Sequence, residues 1–239
     1  MKYQVNKAVV VGAGTMGAAL AAHFANAGIS TTLLDIVPFK LTAKEEKKGL
    51  TREDKAVRYR IVNDGLMAAK KSRPASFFSS DQHDLVNIGN LEDDFDVIAE
   101  ADIVVEAIIE NLEIKIDLMK RIDEIRKPTA IIATNTSGIP VKDIAEGLSD
   151  SFKGHFLGMH FFNPPRYLKL LEVIPTSNTH PEVVEFISRF GEYRLGKGIV
   201  LCKDTPNFIG NRLAFGTGAF ALDYILKNGY SIEEVDMVT

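Results

Sequence analysis

The sequence has little of what disulfides, metal sites and membrane spans require. It contains one cysteine, Cys202, which excludes an intramolecular disulfide and predicts a reducing compartment. Its cysteine and histidines show no zinc-type spacing, so no metal is expected. The most apolar later stretch, residues 208–226, is interrupted by polar and charged residues. It therefore predicts a buried or interface helix rather than a membrane span.

The chain also lacks a strong charge of one sign and an obvious targeting segment. Its net charge of −4 gives no general attraction to nucleic acid. The apolar run near the N-terminus is too short for a signal peptide. With 239 residues and 46% hydrophobic content, the chain can bury a substantial core in one or two domains. We therefore expect a cytoplasmic enzyme domain with neither nucleic-acid nor membrane partners.

What is present begins with a dinucleotide-binding pattern in the first 35 residues. The apolar run 8–11 predicts a strand buried on both faces, and it leads directly into a glycine-rich turn at 12–17. Apolar residues at four-residue spacing then predict a helix that ends at Gly28. A second strand at 31–35 ends in the acidic residue Asp35. This order of strand, turn, helix, strand and acid is typical of a Rossmann cofactor site, and an ordinary strand-to-helix turn is the alternative.

Each element of this pattern has a physical task. Gly12 permits the tight turn, Gly14 lets the backbone approach a pyrophosphate, and Gly17 allows close packing of helix and strand. Asp35 would accept hydrogen bonds from ribose hydroxyls and repel a 2′-phosphate, and no arginine follows it closely. The predicted cofactor is therefore NAD. The predicted contacts are Gly12, Gly14, Thr15, Met16, Gly17 and Asp35.

Most of the remaining chain continues the alternation of strands and helices. Strands are predicted at 101–108, 129–134, 156–161, 169–174 and 198–202, and helices at 112–122, 140–148 and 181–190. Such alternation predicts an α/β fold with a doubly wound, mostly parallel sheet. We expect residues 1–203 to form the NAD-binding domain and residues 204–239 to begin a helical C-terminal domain.

Two regions depart from the alternation. Residues 38–73 favour helix and hold 11 Lys and Arg against 5 Asp and Glu, a local charge of +6. The positive charge of this helical arm either belongs to an ordinary solvated face or attracts a substrate with several phosphates. Near the C-terminus, Ser231 and Glu234 have the spacing of a capping box that starts a helix. Because the sequence stops soon afterwards, we expect it to be part of a longer protein.

A His and a carboxylate downstream of the cofactor pattern indicate a reaction. The segment His160-Phe-Phe-Asn-Pro164 is followed by Glu172 on the next predicted strand. A neutral imidazole can take a hydroxyl proton near pH 7, and a carboxylate on its other nitrogen fixes the tautomer. Together with hydride transfer to a nicotinamide, this pair predicts alcohol oxidation. A structural role for His160 is the alternative.

Six ordered blocks resemble the 3-hydroxyacyl-CoA dehydrogenases and span most of the chain. They are Lys7–Asp35, Val105–Leu112, Thr134–Gly138, His160–Pro164, Lys169–Val173 and Lys203–Arg212. The segment 35–90 is most similar to that of the long bacterial members, which also carry an enoyl-CoA hydratase module. The resemblance implies a Rossmann-type domain that uses NAD.

The resemblance also implies residue roles. His160 would be the general base, oriented by Glu172, while Ser137 and Asn211 would position the substrate oxygen. The further cofactor contacts that it implies are Ala107, Glu110 and Lys115. From the sequence alone, Ser137 and Asn211 could equally be turn or cap residues, and Glu110 with Lys115 a surface pair on a helix. Candidates for the CoA phosphates, chosen on charge alone, are Lys70, Lys71 and Arg73.

The implied activity is NAD-dependent oxidation of L-3-hydroxyacyl-CoA to 3-ketoacyl-CoA in fatty-acid β-oxidation. The resemblance also implies a homodimer when the protein is full length. Two alternatives stay open at this point. One is a sugar-acid dehydrogenase of the same fold, against which the positive arm argues. The other is a non-catalytic NAD-binding protein, against which the set of His160, Glu172, Ser137 and Asn211 argues.

Overall fold

The computed structural model of this chain describes residues 3–238. Its strands are β1 (Lys7–Val11), β2 (Ser30–Asp35), β3 (Val86–Asn90), β4 (Ile103–Glu106), β5 (Ile131–Thr134), β6 (Phe156–Phe161), β7 (Leu170–Pro175) and β8 (Gly198–Leu201). They form one sheet in the order β3-β2-β1-β4-β5-β6-β7-β8. Strands β6 and β7 pair antiparallel, and the other neighbours pair in parallel. The predicted doubly wound, mostly parallel sheet is therefore confirmed.

Helices cover both faces of this sheet. They are α1 (Thr15–Asn26), α2 (Ala43–Lys47), α3 (Lys55–Arg58), α4 (Arg60–Lys71), α5 (Leu112–Ile125), α6 (Val141–Ile144), α7 (Asp150–Gly154), α8 (Pro181–Tyr193), α9 (Gly210–Asn228) and α10 (Ile232–Asp236). The capping box predicted at Ser231 and Glu234 is present and starts α10. The helix predicted over 140–148 is only the short α6, because the chain turns at Gly147 with a positive φ of 75°.

The central strands are apolar on both faces because each face supports its own core. In β1, Val10 joins the core under α1 and α8, whereas Val9 and Val11 join the core under α5. Burying such a side chain contributes roughly 1.5–3 kcal/mol. Because β1, β4 and β5 pair in parallel, their carboxyl ends lie along a common edge, and that edge carries the residues discussed below.

Strand β3 was not predicted from the sequence. Its residues Val86–Asn90 contain two asparagines and a glycine, which are poor strand formers. The strand forms because it pairs in parallel with β2 at the edge of the sheet. Tertiary pairing therefore overrides weak local preference at this position.

The positive arm is helical in three short pieces rather than one. Its last helix, α4, buries Val62, Leu66 and Ala69, and it packs against α1. α4 is thus packed on the fold through one face, while its charged residues Asp64 and Lys71 are exposed. Two positive charges of the arm are paired with carboxylates. Arg58 of α3 contacts Asp93 and Glu92, and Arg60 of α4 contacts Glu45.

The apolar stretch near the C-terminus forms α9, but no α9 residue is buried among the described residues. The expectation that this helix is buried is therefore wrong for the described part of the chain, because no described element covers its apolar side chains. The interface alternative is not contradicted. Within residues 3–238, no helix is long and apolar enough to cross a membrane.

Candidate active site

The glycine-rich turn has the geometry that the sequence predicts. Gly12 has a φ of 106°, and a Cβ there would lie 2.4 Å from the Ala107 carbonyl oxygen. A Cβ on Gly17 would lie 1.7 Å from the Gly12 carbonyl oxygen, so α1 can approach β1 closely only with glycine. At Gly14, by contrast, a Cβ would meet nothing within 4 Å. The start of α1 therefore faces open space with free backbone N–H groups, as a pyrophosphate requires.

Asp35 lies at the end of β2, beside this turn. Its carboxylate accepts hydrogen bonds from the backbone N–H groups of Ala13 at 2.5 Å and Ile36 at 2.6 Å. These bonds hold the carboxylate at the carboxyl edge of the sheet. A ribose bound along the turn would meet it there. Thr15 and Met16 begin α1, and Thr15 is exposed while Met16 is half-buried.

A buried ion pair lies under the end of β4. Lys115 of α5 is 1% exposed, and its Nζ lies 2.6 Å from Oε1 of Glu106, which is fully buried. Glu106 also accepts hydrogen bonds from the Thr134 hydroxyl and the Ile108 backbone N–H. The reading of Lys115 as a surface residue is therefore wrong. Glu106 was missed, although a carboxylate within an apolar strand needs a buried partner and so signals one.

Glu110 connects this ion pair to the loop after β5. Its Oε2 lies 3.4 Å from Nζ of Lys115, and its Oε1 accepts hydrogen bonds from the Thr136 hydroxyl and from three successive backbone N–H groups, at residues 137–139. Burial opposes ionisation of this carboxyl, but the Thr136 hydrogen bond and Lys115 lower its pKa below the usual value. Glu110 thereby fixes the loop that carries Ser137.

The predicted His–Glu pair is formed by strand register. His160 of β6 faces Glu172 of β7 in the antiparallel ladder, and His160 Nδ1 lies 2.7 Å from Glu172 Oε2. Both side chains are buried. Phe162 and Phe208 flank the imidazole at ring-centroid distances of 4.6 and 5.6 Å. No described residue forms a hydrogen bond with the second ring nitrogen, Nε2, which is therefore available as a base.

The second carboxylate oxygen of Glu172 is held from α9. Its Oε1 accepts hydrogen bonds from the backbone N–H groups of Ile209 at 2.9 Å and Gly210 at 2.7 Å. Burial opposes ionisation, but the hydrogen bonds from His160 and from these two amides lower the pKa of Glu172. Because the carboxylate is charged and accepts, the proton between the two side chains lies on Nδ1 of His160. Burial beside Glu172 raises the pKa of the Cys202 thiol to about 12, so this thiol stays protonated and inert.

Ser137 and Asn211 lie next to each other in the structure. The Asn211 side-chain amide donates to the Ser137 carbonyl oxygen at 3.4 Å, which links the start of α9 to the loop after β5. Asn135, in the same loop, accepts from the Phe161 backbone N–H and ties the loop to the His160 strand. Ser137 is exposed, and its hydroxyl has no hydrogen-bond partner among residues 3–238.

A cleft of about 560 Å³ is lined by the start of α1, by α4 and by the loop after β6. Gly14 and Thr15 line one side, Gly65 lines the α4 side, and Asn163 lines the β6 side. Of the three candidate CoA contacts, only Arg73 lines this cleft. Lys70 is half-buried and Lys71 is exposed, and both lie at the end of α4 outside the cleft lining.

Comparison with known proteins fits this geometry. The family model described as the 3-hydroxyacyl-CoA dehydrogenase NAD binding domain matches residues 7–205. The chain belongs to this family. The family predicted from the sequence blocks is thus confirmed, and so is NAD as the cofactor that this domain binds. The open space at Gly14 and the carboxylate of Asp35 fit that cofactor.

Two relatives of this chain are longer than the chain itself. A probable 3-hydroxyacyl-CoA dehydrogenase of Bacillus subtilis is 48% identical over 239 residues, which cover 100% of this chain and 30% of that protein. A probable 3-hydroxyacyl-CoA dehydrogenase of Deinococcus radiodurans is 45% identical over 236 residues, which cover 99% of this chain and 64% of that protein. A crystal structure of (S)-3-hydroxybutyryl-CoA dehydrogenase PaaH1 from Ralstonia eutropha has a TM-score of 0.72 at 27% identity, covering 97% and 75%. The chain thus spans less than two thirds of both curated relatives.

Proposed function

We propose that this protein oxidises L-3-hydroxyacyl-CoA to 3-ketoacyl-CoA with NAD, in fatty-acid β-oxidation. One observation carries the proposal: the buried His160–Glu172 pair, joined at 2.7 Å, stands at the same sheet edge as the NAD-binding turn. A base with a fixed tautomer beside a nicotinamide site is what alcohol oxidation needs. The names of the relatives support the 3-hydroxyacyl-CoA substrate.

In the proposed reaction, His160 is the general base. Its Nε2 takes the proton of the substrate hydroxyl, and Glu172 stabilises the imidazolium that forms. The glycine-rich turn and Asp35 would hold NAD, which would supply the hydride acceptor for the carbon that carries this hydroxyl. Ser137 offers its hydroxyl to the substrate oxygen, and Asn211 holds the Ser137 loop and the oxygen in place.

We further propose roles in cofactor binding for Ala107, Glu110 and Lys115. Ala107 lies directly against Gly12 through its backbone, so it can only offer main-chain contacts there. Lys115 is 1% exposed and engaged with Glu106, so we assign it an indirect role through Glu110. Glu110, with its side chain 43% exposed, is the member of this pair that can face the nicotinamide ribose.

The acyl-CoA is proposed to lie in the cleft between α4 and the loop after β6. Arg73 lines it, while Lys70 and Lys71 stand nearby at the end of α4 and act through longer-range attraction. Asp64 also lines the cleft, and its negative charge opposes this attraction. The domain boundary at 203 and the homodimer of the full-length protein remain predictions, as does a cytoplasmic location.

The proposal is tested by NADH formation from 3-hydroxybutyryl-CoA, with a panel of sugar acids without CoA as the alternative substrates. We expect turnover of the CoA ester alone. In His160→Ala, turnover should fall ~10²–10⁴-fold, the usual contribution of a general base, while NAD affinity is retained. NAD binding without turnover of any substrate by the full-length protein would favour the non-catalytic alternative.

A further inference from the structure

Loop 162–169 joins the two strands of the His160–Glu172 pair, and a buried lysine holds it from below. Lys197 is 5% exposed, and its Nζ donates to the carbonyl oxygens of Pro165 and Leu168, the latter at 2.9 Å. No ion pair with a carboxylate is formed by this lysine among the described residues. Burial lowers the pKa of Lys197 to about 8. The Lys197 amino group therefore donates its hydrogen bonds to two carbonyl groups of the loop.

An arginine of the same loop reaches across to the end of the arm. Arg166 Nη1 donates to the carbonyl oxygens of Ala75 at 2.8 Å and Phe77 at 2.7 Å. Its guanidinium also lies over the rings of Phe78 and Tyr167, 4.3 and 5.1 Å from their centroids. A planar guanidinium can both donate charge-assisted hydrogen bonds and stack on rings, whereas a lysine ammonium cannot stack in this way. Arg166 thus ties loop 162–169 to segment 72–79.

These two segments form walls of the cleft. Loop 162–169 contributes Asn163 and Pro164 to the lining, and segment 72–79 contributes Arg73, Pro74 and Ser76. Neither segment contains a helix or strand. Arg166 makes two hydrogen bonds from the loop to segment 72–79, and Lys197 makes two more on the far side of the loop. Asn26 of α1 holds segment 72–79 from its other side, through Ser76 and Phe78.

We propose that Arg166 and Lys197 are positioning residues that set the width of the acyl-CoA cleft. The inference rests on the proposed function. The pair acts on substrate affinity rather than on chemistry, because the register of β6 and β7 holds His160 against Glu172 independently of the loop. Neither cation needs to touch the substrate, since each acts through the loop that it holds.

Steady-state kinetics with 3-hydroxybutyryl-CoA separate these effects. Arg166→Met keeps the length of the side chain but removes its donors and its plane, so KM for the acyl-CoA should rise roughly tenfold. The turnover number should stay within about twofold, and the Kd for NAD should change less than the KM, because the predicted NAD contacts Gly14 and Thr15 lie on the opposite wall of the cleft. Arg166→Lys should give a smaller rise, because an ammonium can donate but cannot stack. The matched control is Arg189→Met, at an exposed position on α8 outside this cleft, and it should behave as wild type.

Amide hydrogen exchange tests, without any substrate, whether Arg166 and Lys197 hold loop 162–169 in place. The amides of Tyr167 and Leu168 are bonded to the Pro164 carbonyl, and they should exchange faster in Arg166→Met and in Lys197→Met than in wild type. An unchanged acyl-CoA KM in Arg166→Met, or unchanged exchange in both variants, would overturn the proposal. If the wild type itself fails to oxidise the CoA ester, the proposed function is refuted. Exchange rates in both variants equal to those of wild type would then refute, separately, the role of Arg166 and Lys197 in holding the loop.

Discussion

At the residue scale, the proposed reaction depends on which nitrogen of His160 carries the proton. Glu172 accepts on both of its oxygens, from His160 at one and from Ile209 and Gly210 at the other. An amide at this position can still accept from the two backbone groups only by turning its NH₂ towards His160. The imidazole would then accept a hydrogen bond at Nδ1 and carry its proton on Nε2. A protonated Nε2 cannot take the proton of the substrate hydroxyl.

We therefore expect Glu172→Gln to remain folded and to lose most of its turnover. The loss should be on the order of 10²–10⁴-fold, as for removal of a general base, while NAD affinity stays near the wild-type value. Initial rates with 3-hydroxybutyryl-CoA and an NAD titration provide the measurement. Unchanged turnover with an unchanged pH profile would mean that Glu172 has a structural role only.

Asp35 governs the choice of cofactor at the same scale. Its carboxylate already accepts from the backbone of the glycine-rich turn, so its charge is fixed beside the expected ribose position. We expect the wild type to bind NAD far more tightly than NADP, and Asp35→Ser to narrow that difference by weakening NAD and admitting NADP. Fluorescence titrations of both proteins with both cofactors measure this. Equal NAD and NADP affinity in the wild type would refute the role of Asp35.

At the element scale, α4 lies directly against the glycine-rich turn. A Cβ on Gly65, in the interior of α4, would lie 2.2 Å from the Ala13 carbonyl oxygen. Gly65→Ala should therefore push the arm away from the turn, lower the stability of the chain by ~1–3 kcal/mol and weaken NAD binding. Denaturant unfolding and NAD titration would measure both effects.

Gly216→Ala is the matched control for this substitution. Gly216 also lies within a helix, α9, but a Cβ there would meet nothing within 4 Å. Alanine should stabilise α9 by roughly 0.5–1 kcal/mol through helix propensity and leave NAD affinity unchanged. If Gly65→Ala behaved like this control, close packing of α4 on the turn would not contribute to the cofactor site.

The charge of the arm can also be tested at this scale. Arg73 lines the cleft, whereas Lys71 is exposed outside its lining. Arg73→Glu should raise the KM for acyl-CoA several-fold, and Lys71→Glu should raise it less, since the attraction falls with distance. Both effects should shrink as ionic strength rises. Equal KM values for both variants and wild type at low salt would show that the phosphates of CoA bind elsewhere.

At the scale of the whole molecule, buried ionisable groups make stability depend on pH. Glu172 has a pKa lowered from an ordinary value of 4.5, so it contributes stability above pH 4.5 that is lost as the pH falls through its lower folded pKa. Burial also lowers the pKa of His23 from 6.5 to about 3, which removes stability below pH 6.5. The His23 contribution is shared by wild type and by Glu172→Gln.

The difference between these two proteins therefore isolates Glu172. We expect wild type to exceed Glu172→Gln in unfolding free energy at neutral pH, and the gap to narrow as the pH drops below about 4.5. Urea unfolding across pH 3–7, followed by circular dichroism, is the measurement. A gap that is constant over this range would mean that Glu172 does not ionise differently on folding.

The exposed helix α9 is the other feature of the whole molecule. Its large apolar side chains include Phe215, Phe220 and Leu226, each more than two thirds exposed. Yet the backbone at the start of α9 holds Glu172, so the helix belongs to the active site. The region after β8 therefore holds one member of the His160–Glu172 pair although it contributes little to the core.

Much of this protein follows from its sequence alone. The strands β1 and β2, the helix between them and the glycine-rich turn are local patterns, because each depends on a residue period or on a conformation that only glycine adopts. The pairing of His160 with Glu172 was also predictable, because two adjacent strands bring facing residues together. The same blocks of sequence identified the family, and the comparison confirms it.

Other features depend on contacts between residues distant in sequence, and only the tertiary structure decided them. Strand β3 exists because β2 offers it a partner, and α9 is exposed because no described element covers it. Lys115 is buried because Glu106 lies beneath it on another element, and Arg166 bonds to the Phe77 carbonyl oxygen because segment 72–79 passes beside it. Local periodicity carries no information on such pairings, since they depend on how the sheet and its helices close around one another.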